Sequence, residues 1–491
     1  MPVLTRNNMS KKSTNNPFGS KITQIMDPVH GGIEILEHEA FCIDHPLFQR
    51  LRYILQNDVA NYVFPGATHT RFNHSLGTMH LAGKLFRSLV DQYIGEASDG
   101  FTLSEKHREA IYYVYACFRL AALLHDTGHF PFSHEFEKSD SIKTLLHDKN
   151  ILKDFWQKSE LYEKYAKNSL SNNNFELSHE DYSLAVAYKI LSAAKSENKL
   201  PVEIDDVLAL MESFSGTNSA EWKNATLNLL EVFEGNDQSS STYDKDFVSN
   251  SIKNYFSMMI SGEIDVDKMD YLLRDSYFSG AKYGIYNADH LISTLRIGFD
   301  KTTNWVGLAI LEKGVVALED FVYSRFQIYQ NMWSHKAVIR SKLLLSDAIS
   351  EVATSTDNIK TIRSYMTDEK KFSVFTDHFF LEKFRDIHIN NNNSASSKFL
   401  FRTKMEHLDR LTDPSSNKIA SVHEELKNKH QKRIIYRATP IKFSEIPLRD
   451  FANIRVISNE KSNKRILVEL KEKTDFFQKF GGKLIVNFYA Q

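Results

Sequence analysis

The stretch AALLHDTGHFPFSH, Ala121 to His134, carries the end of an apolar helix straight into a cluster of ionisable groups. The run Cys117–Leu124 is continuously hydrophobic, which is the pattern of a helix buried on most of its surface. His125 and Asp126 therefore enter the interior at its end. Gly128 is a natural terminator and Pro131 biases Phe130 away from helical angles, so the helix is predicted to stop near Thr127. His129 and His134 then lie on a turn beyond it, each aimed independently. A buried aspartate beside a buried histidine is costly unless something positive compensates it. Two arrangements achieve that: a hydrogen-bonded core pair, or a metal ion that both residues ligate.

The rest of the chain sets the frame for that choice. At 491 residues it exceeds one ordinary core, so a large domain with an appended lobe, or two to three domains, is expected. Hydrophobic content of 42% and charged content of 25% are those of a soluble globular protein. A formal net charge of -1 gives no global attraction to nucleic acid, although local basic patches leave it a partner that is allowed and not required. Only Cys42 and Cys117 occur, which excludes a disulfide framework and a CxxC zinc site and suits a reducing, cytoplasmic compartment. No stretch approaches the length of a membrane span, and the Asn/Ser/Lys-rich start lacks the apolar region of a signal peptide.

Helical periodicity dominates, as in HSLGTMHLAGKLFRSLVDQYI (His74–Ile94) and KHREAIYYVYACFRLAALLHD (Lys106–Asp126). Three late segments alternate as strands: NIRVIS (Asn453–Ser458), RILVEL (Arg465–Leu470) and KLIVNF (Lys483–Phe488). The expectation is a mainly α fold: a disordered tail over 1–20, a helical core over 21–340 and a smaller α+β lobe over 341–491. A charged segment at about 139–174 reads as an insertion, and NNNNSASSK (Asn390–Lys398) as a mobile loop.

A metal site at His125 and Asp126 needs ligands from other segments. THTRFNHSLG (Thr68–Gly77) offers His74 at the opening of a helix, with Arg71 just before it. EIDVDKMDYLLRDSYFSG (Glu263–Gly280) offers Asp267. On a helix, Asp267, Asp270, Tyr271, Arg274 and Asp275 share a face, which would be a solvated salt-bridged surface were it not flanked by Met269, Leu272 and Leu273.

His74, the His125–Asp126 doublet and Asp267 reproduce the H...HD...D pattern of the HD-domain metal phosphohydrolases. The motifs DPVHGGIEI, IDHPLFQRLRYILQ, YVFPGATHTRFNHSLGTMHLAG, HDTGHFPFSHEFE and IDVDKMDYLLRD, collinear over about residues 22–345, resemble the deoxynucleoside triphosphate triphosphohydrolases within that superfamily. Some members of that family carry a sterile alpha motif domain, and the expectation here is a core without one. The resemblance implies an HD-domain helical core in which His74, His125, Asp126 and Asp267 hold iron, manganese or zinc, with magnesium accompanying the triphosphate. It implies that Arg71, His129, Lys268, Tyr271 and Arg325 contact the triphosphate, and that His134, supported by Glu137 and His179, protonates the leaving 5' oxygen. A carboxylate beside His134 would raise its pKa.

Gln56 and Asp275 match residues that hydrogen-bond the 3' hydroxyl. The floor against the 2' carbon departs from the family, with Asn57 in place of an apolar residue and Trp333 in place of a tyrosine. Asp44, Gln49 and Arg52 match guanine-reading positions of an effector site between subunits, and Arg296 and Lys313 match its phosphate-binding positions. The segment ITQIM (Ile22–Met26) lacks the lysine and asparagine expected there. The implied protein is a homo-oligomer, dimer or tetramer, taking nucleoside triphosphates as substrate and effector. For Gln49 and Arg52, simple helix packing is the competing expectation. An HD-domain nuclease or nucleotide phosphodiesterase shares the same metal core, and a non-catalytic nucleotide-binding scaffold is opposed by the complete ligand set.

Overall fold

The computed structural model describes residues 16–96, 102–157, 176–211, 218–234, 244–300, 305–430, 433–441, 454–459, 465–476 and 483–490. The architecture is mainly α with small sheets, as the periodicity predicts. Two long helices, Arg71–Glu96 and Glu105–Leu124, pack on each other, and Ala220–Glu234 and Val266–Ser279 close over them. The second is capped by Ser104, and every residue from Val114 to Leu124 is buried. The one charge in that stretch, Arg119, is matched by Glu39 at 2.5 and 2.8 Å. Val266–Ser279 starts at Asp265, whose carboxylate accepts from the Lys268 amide at 2.7 Å, and ends at Gly280 in a left-handed conformation, φ 71°.

Two glycines permit the close approaches that build the site. A Cβ on Gly77 would sit 1.9 Å from Asp270 Oδ1, and one on Gly128 would sit 2.1 Å from the Ser183 amide. The first lets Arg71–Glu96 lie against Val266–Ser279; the second lets the turn after Leu124 lie against the helix His179–Ser196.

Among the described residues the sheets are a hairpin of Thr23–Asp27 with Gly31–Ile35, a four-stranded sheet and a three-stranded sheet. In the second, Leu295–Asp300 pairs antiparallel with Trp305–Leu311, which pairs parallel with Arg455–Asn459, which pairs antiparallel with Arg465–Glu469. In the third, Lys483–Ala490 lies between Glu406–Thr412 and Ile434–Ile441. The three late strands thus form where alternation places them.

Several boundaries differ from expectation. Position 340 falls inside the helix Lys336–Ala353, and the strands Arg455–Asn459 and Arg465–Glu469 join a sheet begun by Leu295–Asp300 and Trp305–Leu311. The segment expected as an insertion contributes the helices Asp140–Leu146 and Lys149–Trp156, whose apolar residues are buried; Phe155 packs on Tyr182 and Phe372. Residues 158–174 lie outside the described residues. Within Asn390–Lys398 only 391–394 form a turn, between the helices Asp377–Asn390 and Ala395–Leu400, because Ser394 caps the second and Glu351 accepts from the Ala395 and Ser396 amides. Of the expected tail, 1–15 lie outside the described residues, while Phe18 is buried against Tyr115.

Candidate metal and phosphate site

The helix that opens the site ends at Leu124, earlier than predicted, and residues 125–128 form the turn. His125 Nδ1 lies 2.8 Å from the Ala122 carbonyl, which can only accept. The ring therefore donates from Nδ1 and leaves the Nε2 lone pair free. His74 is oriented in the same way. Its Nδ1 donates to Asp270 Oδ2 at 2.8 Å, and Asp270 is itself held by Arg274 and by His30 at 2.6 Å. Arg274 in turn bonds Asp27. The acidic face of Val266–Ser279 is thus buried, with Asp270, Arg274 and Asp275 at 0% exposure, and not a solvated surface.

Two free imidazole nitrogens converge on carboxylates. His74 Nε2 is 2.9 Å from Asp267 Oδ1 and 3.6 Å from Asp126 Oδ2; His125 Nε2 is 3.5 Å from Asp126 and 3.7 Å from Asp267. Ligand atoms of His74, His125 and Asp126 all lie within 4.8 Å of one another. Both Nε2 atoms are buried without a hydrogen-bond partner, an arrangement that fits a divalent cation with N and O ligands. The electrostatics agree. Burial disfavours the charged form of His74, yet Asp267 and Asp270 overcome it and push its pKa up to about 10. Burial likewise opposes the ionised forms of Asp126 and Asp267, and their cationic neighbours hold both well below the usual carboxylate range. The space between these side chains is built for positive charge.

Arg71 Nη1 donates to Asp126 Oδ2 at 2.5 Å and its Nε to Ser133 Oγ at 3.0 Å. His129 Nε2 lies 3.3 Å from Asp126, and burial holds its pKa well down, so it is a neutral donor. Lys268 is tied to Asp265 at 2.6 Å and Arg325 to Glu263 at 2.8 Å; the Tyr271 ring lies 5.3 Å from that of Trp333.

His134 does not lie on a free turn but opens the short helix His134–Lys138. The rings of His129, His134 and His179 form a cluster, the first and last stacked at 3.9 Å. Glu137 binds His179 Nδ1 at 3.0 Å and its amide at 2.8 Å, and lies farther from His134, 3.5 Å. The expected upward shift of His134 is reversed. Desolvation in the cleft, reinforced by the charges of His179 and Arg71, outweighs Glu137 and lowers its pKa, although 49% of its side chain stays accessible. Glu137 instead raises His179 against the burial that opposes its charge.

Gln56 Oε1 is buried without a partner, while Asp275 is held by three donors: His69 at 2.9 Å, Asn57 at 2.7 Å and Trp333 at 3.1 Å. The two departures from the family pattern thus meet on one carboxylate. The five effector candidates divide. Gln49 bonds the Ile43 carbonyl and Arg52, which stacks over Phe72; Asp44 is exposed nearby. Arg296 bonds the Ser293 and Leu295 carbonyls, and Lys313 is exposed. Phe72 and Tyr93, which bonds the Ile297 carbonyl, mark opposite ends of one helix, about 30 Å apart at 1.5 Å per residue. The two groups do not meet within one chain.

Sequence reasoning passed over His30, Asp27 and His69. Asp270 had a signal, its position on the Asp267 face; the others are joined to the site only by tertiary contact.

A family model of the HD domain matches residues 71–275. The chain is similar to the deoxynucleoside triphosphate triphosphohydrolase SAMHD1 of Homo sapiens, 29% identical over 364 residues, 73% of this chain and 50% of the relative. The Bos taurus counterpart is 27% identical over 368 residues, 73% of this chain and 53% of the relative, and an uncharacterized protein of Methanocaldococcus jannaschii is 26% identical over 341 residues, 69% and 52%. The chain spans about half the length of these curated relatives. A solved structure of a hypothetical protein from Aquifex aeolicus shares the fold, with a TM-score of 0.59 and 23% identity over 95% of this chain and 96% of that one. No described helix is long and apolar enough to cross a membrane.

Proposed function

We propose that this chain is a metal-dependent triphosphohydrolase that cleaves a deoxynucleoside triphosphate at the α-phosphate, releasing nucleoside and tripolyphosphate. The observation that carries this reading is the convergence on Asp126 of two imidazoles with free, buried Nε2 atoms and of Arg71. His74, His125, Asp126 and Asp267 would hold iron, manganese or zinc, and the bound cation supplies the Lewis acidity that activates water near neutral pH. Arg71, Lys268, Tyr271 and Arg325 bind the triphosphate, the last three after exchanging their present partners for it. His129, neutral and beside Arg71, donates to a phosphate oxygen. His134 gives its proton to the 5' oxygen, and its accessible ring can reach a substrate. Gln56 and Asp275 take the 3' hydroxyl, with Asp275 aligned by Asn57 and Trp333. Both of those bring polar atoms to the sugar floor, so ribonucleotides are slower substrates and not excluded ones.

Asp44, Gln49, Arg52, Arg296 and Lys313 belong to an effector site completed by a second copy of the chain, since one copy holds its halves far apart. A guanine nucleotide then raises activity and oligomer mass. The free, buried cysteines suit the cytoplasm. Chromatography of one reaction tests the chemistry: mononucleotide with pyrophosphate, diphosphate with orthophosphate, or shortened oligonucleotides with intact triphosphates would each overturn it.

A further inference from the structure

The turn that carries His129 and His134 has an unusual backbone. Phe132 and Ser133 have φ of 56° and 49°, a left-handed region that bulky residues avoid. Pro131 followed by Phe132 occupies the centre of a turn closed by the Ser133 amide on the Phe130 carbonyl at 2.9 Å, where the second central position usually takes glycine. Something outside the turn must hold it.

Two buried groups do so. Asp377, 4% exposed, accepts from the Phe132 amide at 2.7 Å through Oδ1 and from the Leu55 amide at 3.0 Å through Oδ2. Arg50, 1% exposed, donates to the Thr127 carbonyl at 2.9 Å, the His129 carbonyl at 2.6 Å and the Phe375 carbonyl at 2.9 Å, and its guanidinium lies 4.1 Å from the Phe372 ring centre. The Phe132 ring is packed among Phe380, Phe384 and Phe399. All of these anchors lie outside the segment 71–275 that matches the HD domain.

We infer that Asp377 and Arg50 are positioning residues: they fix the left-handed turn at Phe132–Ser133 and so set where the His134 imidazole points. Neither touches the space between the ligand side chains. Arg50 pins the carbonyls before the turn and Asp377 the amide within it, so the backbone entering His134 is constrained from both sides. Ser133 Oγ adds a third tie, donating to the Leu55 carbonyl at 3.2 Å. A displacement of about 1 Å at a reacting group can cost on the order of a hundredfold in rate, so this restraint has kinetic weight.

The inference rests on the proposed role of His134, and the test separates the two. In the full chain, Asp377→Asn leaves one acceptor and turns an amide NH2 toward a backbone N–H. It should lower kcat by about ten- to a hundredfold, leave KM within about threefold and leave metal content unchanged. In a His134→Ala background the same substitution should change the rate by less than about twofold, because the group it positions is gone. Equal losses on both backgrounds, or a parallel loss of metal, overturn the inference. Arg50→Lys, which cannot span three carbonyls, is judged by the same criteria and decides if Asp377→Asn does not fold. A second readout needs no turnover: in protein labelled at histidine Cε1, Asp377→Asn should move the His134 resonance and leave those of His74 and His125 in place. Unmoved or uniformly moved resonances refute it. A wild type inactive on every nucleoside triphosphate defeats the proposed function and leaves the resonances to decide the positioning.

Discussion

Asp126 and Glu135 are both buried carboxylates surrounded by cations on neighbouring stretches of the chain, and they are built for opposite ends. Around Asp126 the partners are two histidines whose Nε2 atoms stay unpaired, with Arg71 to one side. Around Glu135 the partners complete the charge. Arg437 makes a two-pronged contact at 2.7 and 2.9 Å, and Lys342 and Lys138 lie at 3.5 and 3.4 Å. Lys342 also reaches Asp58 at 3.1 Å. The first cluster presents unpaired imidazole nitrogens; the second is a network of ion pairs that joins the strand Ile434–Ile441 to the helix that starts at His134. Burial and charge alone do not mark a functional site. What sets the first cluster apart is the pair of unpaired imidazole nitrogens facing its carboxylates.

The largest test of this contrast is Asp126→Ala. It removes a ligand and the charge that compensates the cation, so metal content and turnover should fall to background together. A variant with full metal and full rate would make Asp126 a structural carboxylate like Glu135. His134→Ala should cost about a hundredfold in rate and leave metal content intact, read by elemental analysis beside a product assay. Equal loss of metal would move His134 into the ligand set.

On the structural side, Arg437→Ala should leave the metal in place and destabilise the fold by about 2–3 kcal/mol. That is less than the full penalty for stranding a buried charge, because two lysines remain near Glu135. Denaturant unfolding measures it; a neutral result would mean the strand is held by its apolar face alone. The smallest effect is one of pH. Burial opposes ionisation of Glu135, but Lys342, Arg437 and Lys138 lower its pKa from 4.5 to about 2. A depressed carboxylate stabilises the fold above its unfolded value and ceases to do so as pH falls through its folded one. The stability gap between wild type and Glu135→Gln should therefore be full above about pH 4.5 and close toward about pH 2. A gap that persists at the acid end would assign it to shape instead of charge.

The candidate ligands came from the family resemblance together with local context: His74 where a helix opens, the His125–Asp126 doublet where an apolar helix ends, Asp267 on a helix face flanked by Met269 and Leu272. The same local logic found the strands at 455–459, 465–469 and 483–490 within a residue or two. It failed at Asn390–Lys398, where polar residues read as a loop are a cap and a short helix satisfied by the distant Glu351. It also failed on the sign of the His134 shift, because desolvation in the cleft, with His179 and Arg71 beside it, outweighs Glu137.

By itself, the sequence determined the mainly helical class and the presence of the long helices, which depend on periodicity, and its resemblance to a known family nominated the four ligand candidates. Only the tertiary structure decided how those candidates are oriented and what holds them. The free Nε2 atoms exist because Ala122 and Asp270 take the other nitrogen. The His134 turn exists because Arg50 and Asp377, hundreds of residues apart, close on it from two sides. Hydrogen-bond direction and charge balance are set by whatever the fold brings within about 3 Å, and sequence separation carries no information about that distance.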